Sequence, residues 1–164
     1  MSSVNWVKAI SAELTVNAPV EKVYQAWTTE EGIKSFFAPD CNIKMEVMGP
    51  YEIIFLPENK EGSRGGEGNV VLTFQENKML SFTWNSPPEF KKMRNERTHV
   101  LIKFVSLDDN STKLLFFQDG WGEGDGWDEV YEYFNQAWKK VVLPRLLYRF
   151  EHEPVDWNNP PKFD

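Results

Sequence analysis

The chain has little positive charge to offer a polyanion: 18 Lys and Arg stand against 25 Asp and Glu, a net charge of −7 over 164 residues. Its most basic stretch, Glu89 to Arg97, holds Lys91, Lys92, Arg94 and Arg97 but also Glu89 and Glu96, and reads as a solvated loop. Duplex binding needs a basic face that displaces counterions, so no nucleic-acid partner is expected. The single cysteine, Cys41, excludes an internal disulfide and a cysteine-based zinc site. With no histidine near it in sequence it reads as a small buried hydrophobe. The two histidines, His99 and His152, sit on different predicted elements and are expected at the surface. A metal site needs three or four converging ligands, and no such set is visible. No Gly-x-Ser-x-Gly elbow occurs, and nothing in the sequence asks for a cofactor. No apolar run approaches the roughly 20 residues that span a bilayer, which argues against integral membrane association. No basic region followed by an apolar stretch opens the chain, so no secretory signal is visible and a cytoplasmic protein is expected.

What the chain has in quantity is aromatic side chains: seven Trp and twelve Phe within an aromatic content of 15%. Rings in this number either fill a core or line a sizeable pocket. The length suits one domain, 1–164, able to bury roughly 68–70% of the surface its unfolded chain exposes.

Ile10, Ala12, Leu14 and Val16 alternate with polar residues, the pattern of a first strand. Pro19 then suits the first position of a helix, in which Val20, Val23, Tyr24 and Trp27 form one apolar stripe. Thr28-Thr29-Glu30-Glu31 resembles a capping box opening a second short helix that carries Ile33, Phe36 and Phe37 and ends at Pro39. Strands are then predicted around Ile43-Met45-Val47, Tyr51-Ile53-Phe55, Val70-Leu72-Phe74 and Leu80-Phe82-Trp84, and over 98–106 and 112–118. Two polar loops, 57–69 and 87–96, interrupt them. The last helix is the clearest element, with Trp127, Val130, Tyr131, Phe134, Ala137, Trp138 and Val141 at helical spacing. Asp125 is placed to cap it. Acids gather before it and bases toward its end, which complements the helix dipole. Pro144 is expected to kink it, and the tail 154–164 shows no core-forming pattern.

Between the last strand and that helix lies Gly120-Trp121-Gly122-Glu123-Gly124-Asp125-Gly126-Trp127. Glycine at every second position excludes a packed strand and suits a turn that lets backbone approach something closely. The run lacks the spacing and the lysine of a phosphate cradle. As a calcium loop from Asp119 it would place Trp121 at position 3 and Val130 at position 12, which cannot ligate. A hinge beside a pocket and a plain strand-to-helix connection both fit.

The element order resembles that of the START-like, or Bet v1-like, helix-grip superfamily. Within it, the branch similar to the C-terminal domain of the activator of Hsp90 ATPase matches best. The likeness is carried by the run from Asn17 to Trp27, by Ile33-Lys34-Ser35-Phe36-Phe37 and by Gly120-Trp121-Gly122-Glu123-Gly124. It continues through Trp127, Tyr133-Phe134, Trp138 and Leu143-Pro144-Arg145-Leu146, and spans about residues 8–151. It implies an α+β fold: a curved antiparallel sheet of six to seven strands around a long C-terminal helix, with two short helices after the first strand. It also implies a cavity between sheet and helix.

Function does not follow from such a fold, whose members range from carriers to cyclases and co-chaperones. The leading expectation is a non-enzymatic domain binding a small apolar or aromatic ligand, with Phe55, Trp84, Thr98, Trp121, Phe134 and Trp138 lining the pocket. Trp84 ends its strand near Pro87-Pro88, and Thr98 is the one polar residue expected on the inward face. A stress-related, co-chaperone-like interaction domain is the second reading. A chaperone partner is disfavoured by length, because the chain has no room for the additional N-terminal domain through which the co-chaperone contacts Hsp90. A cyclase- or hydrolase-like enzyme using the same cavity is the third reading. Strand alternation turns its candidate carboxylates, Glu46, Glu52 and Glu96, toward solvent.

Overall fold

A computed structural model describes residues 4–5 (backbone only), 7–124 and 126–163. Strand β1 is Val4–Asn5 and β2 is Ile10–Val16, followed by α1, Val20–Thr28, and α2, Glu30–Phe36. Strands β3 (Asp40–Ile43), β4 (Tyr51–Ile54), β5 (Val71–Gln75), β6 (Met79–Trp84), β7 (Thr98–Asp108), β8 (Ser111–Asp119) and β9 (Trp121–Gly122) come next. Helix α3, Trp127–Ala137, runs through a π-helical turn, Trp138–Val142, into α4, Leu143–Glu151. Five strands form an antiparallel sheet in the order β2-β8-β7-β6-β5. The β3–β4 ribbon extends it through isolated bridges from Pro50 to Val70 and from Ile54 to Gly65. This is the helix-grip arrangement: a curved sheet on one side of a long C-terminal helix.

Alternation decides which face is gripped. Leu80, Phe82 and Trp84 of β6, Val100, Ile102 and Phe104 of β7, and Leu114 and Phe116 of β8 are all buried. Each points to the helix side because successive side chains of a strand alternate between faces. Across the ladder Trp84 pairs with Thr98, and Ile102 with both Leu80 and Phe116. At the chain's start, Pro19 proves to be the N-cap of α1 rather than its first helical residue. Thr29 caps α2 by accepting from the Gly32 amide at 3.0 Å. The third helical residue is thus a glycine, so the box lacks its reciprocal half.

Four expectations need correction. The strand predicted through Val47 ends at Ile43, because the next backbone groups are engaged in a turn: the Glu46 amide bonds Lys44 O and the Gly49 amide bonds Glu46 O, both at 2.9 Å. Val47 is left 66% exposed, and Met48 takes a left-handed φ of 65°. On β5 the register shifts between Val71 and Thr73, so Val71, not Leu72, sits opposite Phe82 in the core. A bulge of this kind inserts one residue and reverses the facing of those before it. The glycine run is not wholly a turn either, since Trp121–Gly122 forms a short ladder with Val4–Asn5. Finally, the tail packs back on α2: the buried Val155 donates its amide to Ser35 O at 2.8 Å, and Trp157 Nε1 donates to Lys34 O at 2.7 Å.

Pro144 is accommodated by the π-helical turn before it. There the Leu143 amide bonds Trp138 O, five residues back. The wider turn opens the backbone at the place where the proline ring would collide with the preceding carbonyl and where one donor is missing. Asp125, the expected cap of α3, lies outside the described residues. The helix starts after Gly126 at φ 92°, with Asp128 and Glu129 in its first turn. Among the described residues no helix is long and apolar enough to cross a membrane.

Candidate ligand cavity

The end of β6 places Trp84 beside the helix at the point where the π-helical turn presents Trp138. Their ring centroids are 5.5 Å apart, and Phe37 from the end of α2 stacks on Trp84 at 5.8 Å and meets Trp138 edge-on at 5.7 Å. Phe55, just past β4, stands perpendicular to Trp84 at 6.3 Å. Above this aromatic floor lies an open cavity of about 430 Å³, walled also by Phe134, Ala137 and Val142 and rimmed by the exposed Leu56, Glu89, Tyr133 and Val141. That volume lies within the usual range for small-molecule sites.

A buried chain of hydrogen bonds fixes the floor from behind. Trp138 Nε1 donates to Gln118 Oε1 at 2.8 Å, Gln118 Nε2 donates to Thr98 Oγ1 at 2.9 Å, and Thr98 donates to Trp84 O at 3.2 Å. Indole is a donor only, so it dictates which end of the Gln118 amide faces it and hence the direction of the whole chain. The backbone oxygen of Gln118 also accepts from Trp121 Nε1 at 3.1 Å. Gln118 therefore orients two tryptophans. Its position on the inward face, with Thr112, corrects the expectation that Thr98 is the one polar residue there. The strict alternation Thr112-Leu114-Phe116-Gln118 is the signal that points to it.

The two loops beside the cavity are bound to one another. Gly65 and Gly66 on one, and Asn85 to Pro88 on the other, contribute to the wall. Arg94 donates to Ser86 O, to Gly62 O at 2.8 Å and to Gly65 O at 3.0 Å, and lies 3.6 Å from Glu67. Arg97 donates to Asn69 Oδ1 at 2.6 Å, and Asn69 in turn donates to Asn85 at 3.0 Å. The basic stretch is largely exposed, as expected, but its Arg94 and Arg97 also clasp the two loops together, anchored by a 3₁₀ turn with Met93 buried. Burial alone would raise the Glu67 carboxyl, but the amides of Gly62, Arg64 and Gly65 and the Arg94 guanidinium hold it below the usual carboxylate range. Gly65, at φ 136°, passes so close to Phe55 that a Cβ there would collide with the ring.

Of the six residues expected at a pocket, Phe55, Trp84, Phe134 and Trp138 line this cavity. Thr98 lies behind the wall, its hydroxyl engaged by Gln118 and Trp84. Trp121 is fully buried among Trp127, Tyr131 and Phe134, off the cavity, where Gly122 lets the Trp127 indole lie against the backbone. Phe37 and the loop glycines were missed, since their role arises only when distant segments meet. His99 bonds Asp119 at 2.9 Å outside the cavity, and His152 is exposed. Glu46 and Glu96 are exposed, while Glu52 is half-buried and accepts from the Gly68 amide at 2.7 Å and from Asn42 at 2.8 Å. Cys41 is half-buried on β3 rather than in the core. Its thiol is pushed up to about 11, first by burial and then by the Glu30 and Asp40 carboxylates, against the opposing pull of Lys34. Among the described residues no group of three His, Cys, Asp or Glu side chains is arranged to hold a metal.

Solved structures share this architecture. The Aha1 dimer from Colwellia psychrerythraea is 24% identical, with a TM-score of 0.64 over 90% of this chain and 98% of that one. Protein MLL2253 from Mesorhizobium loti is 20% identical, with a TM-score of 0.66 over 89% and 96%. PFC0360w, an Hsp90 activator from Plasmodium falciparum, is 18% identical, with a TM-score of 0.59 over 84% and 93%. At these identities the likeness establishes the fold alone. No curated protein matches the sequence. The family model described as Activator of Hsp90 ATPase homolog 1-like protein matches residues 17–146, from the first helix to the start of α4. The chain belongs to that family.

Proposed function

We propose that this is a cytoplasmic domain that binds a small apolar or aromatic ligand between the sheet and the C-terminal helix. The observation that carries the reading is the open cavity of about 430 Å³ floored by Phe37, Trp84 and Trp138. An apolar ligand there would remove water from the half-buried Phe55 and the exposed Leu56, Tyr133 and Val141 above the buried floor, gaining about 25 cal/mol per Å² of apolar surface buried. Phe55, Trp84, Phe134 and Trp138 are the contact residues in this proposal. Thr98 acts through Trp84 and Gln118, and Trp121 supports the wall from behind Phe134. A thermal-shift screen with aliphatic and aromatic compounds tests it. A ligand present at 100 times its Kd should raise stability by about 2.7 kcal/mol, and a screen in which no apolar compound shifts the transition would overturn the reading.

One feature favours a second reading, in which the domain docks on a chaperone or similar protein. The exposed Leu56, Tyr133 and Val141 surround the cavity mouth and present apolar surface to a partner. Family membership and the fold shared with Hsp90 activators support this reading. The two separate cleanly, because a docked partner would be lost on Tyr133→Glu and Val141→Glu, which leave the cavity floor intact.

A further inference from the structure

Arg145 stands in the first turn of α4 and lines the cavity, yet its guanidinium has no hydrogen-bond acceptor and no carboxylate partner among the described residues. Its Nε is sealed from solvent and unbonded. The loop arginines differ: Arg94 has three carbonyls and Glu67, Arg97 has Asn69 and Glu67 O, and Arg64 has Asn59 O. Arg149 also has a sealed, unbonded Nε, but it lies along a separate recess that contains Glu31. Arg145 as a whole is half-buried, and only Nε is among its sealed, unbonded atoms. A partly desolvated cation without an acceptor gains from a ligand of opposite charge.

The tail holds Arg145 ready for such an arrival. The Trp157 ring lies under its guanidinium, 5.1 Å from the centroid, and is itself fixed by the bond to Lys34 O. Stacking of this kind leaves the edge of the guanidinium fork free to meet two oxygens side by side. The residues lining the cavity include two cations, Arg64 and Arg145, and one carboxylate, Glu89. The local balance is positive on a chain whose net charge is −7. With a single positive excess, a monoanion is the best match.

We infer that the ligand of this cavity is an amphipathic monocarboxylate, its apolar body on the Phe37–Trp84–Trp138 floor and its carboxylate on Arg145. The inference rests on the cavity-binding reading above and adds the chemistry of the head group. Matched pairs test it by calorimetry: octanoate against 1-octanol, and 2-naphthoate against 2-naphthalenemethanol. In the native protein the acid of at least one pair should bind about tenfold or more tightly than its alcohol, as a charge-assisted pair requires. Arg145→Gln should collapse that gap while leaving the alcohol unchanged, and Arg145→Lys should keep part of it. The Arg145 Nε–Hε resonance of the native protein should also move with the acid and not with the alcohol, a readout that needs no folded variant. Equal binding of acid and alcohol overturns the inference and leaves the cavity reading standing. A gap that survives Arg145→Gln, or a resonance that does not move, overturns the assignment to Arg145. Failure of all four compounds to bind overturns both readings.

Discussion

Two buried aromatic clusters lie under the same C-terminal helix, and one is sealed away from any cavity while the other forms the floor of one, the open end. Around Trp121, the rings of Trp127, Tyr131 and Phe134 stand 5.2–6.4 Å away. Around Trp138, those of Phe116, Trp84 and Phe37 stand at 4.5–5.7 Å. The ring types match and the spacings overlap, so neither explains the difference. The backbone does. At the sealed end Gly122 has no side chain, and the Trp127 indole fills that space completely. At the open end, glycine and proline backbone in two clasped loops forms the wall where large side chains would otherwise fill the gap. Phe134 belongs to both ends, touching Trp121 and facing the cavity. A pocket in this molecule is made by where the backbone is held, more than by which rings are present.

The comparison is broken most directly by truncating a ring at each end. Trp121→Ala should cost about 3–5 kcal/mol in chemical denaturation, since it empties a fully packed site. Phe55→Ala, at a half-buried ring beside existing space, should cost only about 1–2 kcal/mol, while reducing the stabilisation given by any cavity ligand. Equal costs at the two ends would mean that the open end is packed as tightly as the sealed one.

The next effect concerns the link between the ends. Gln118 receives Trp121 through its backbone and Trp138 through its side chain. Gln118→Met keeps the volume and the backbone bond but strips Trp138 Nε1 of its acceptor and Thr98 of a donor. A loss of about 1–3 kcal/mol is expected for each buried group left unpaired. Trp138 fluorescence should broaden and shift, whereas Trp121 should not move. A variant as stable as the native protein would show that the chain of bonds merely accompanies the packing.

How legible these ends were in the sequence follows from the same contrast. Trp84, Phe134 and Trp138 were found because alternation on β6 and helical spacing on the last helix are local periodicities. Phe37 and Gly65–Gly66 escaped because their place in the wall depends on chain segments that meet only in the fold. Leu72 was misplaced because a bulge on β5 shifts facing without changing residue types. The tail looked inert, since Val155 and Trp157 act singly rather than as a stripe, each through one hydrogen bond to α2. The π-helical turn has a readable cause in Pro144, though proline alone does not choose between a kink and a widened turn.

The smallest effect expected is at the clasp that holds the open end open. Glu67 is held below the usual carboxylate range by the Gly62, Arg64 and Gly65 amides and by Arg94, despite the opposing effect of burial. A carboxyl depressed in the folded state stabilises it above the unfolded pKa of about 4.3 and loses that contribution as pH falls through the folded value. Amide protection over residues 62–68, corrected for intrinsic exchange, should therefore decline below about pH 4.3 before the rest of the sheet responds. Arg94→Gln should produce the same local loss at neutral pH, with little change in global stability, because the contact is only partly buried and partly screened. At the sealed end, residues 120–124 should show no such step. A uniform decline across both ends would mean that the cavity loops and the sheet open as one unit.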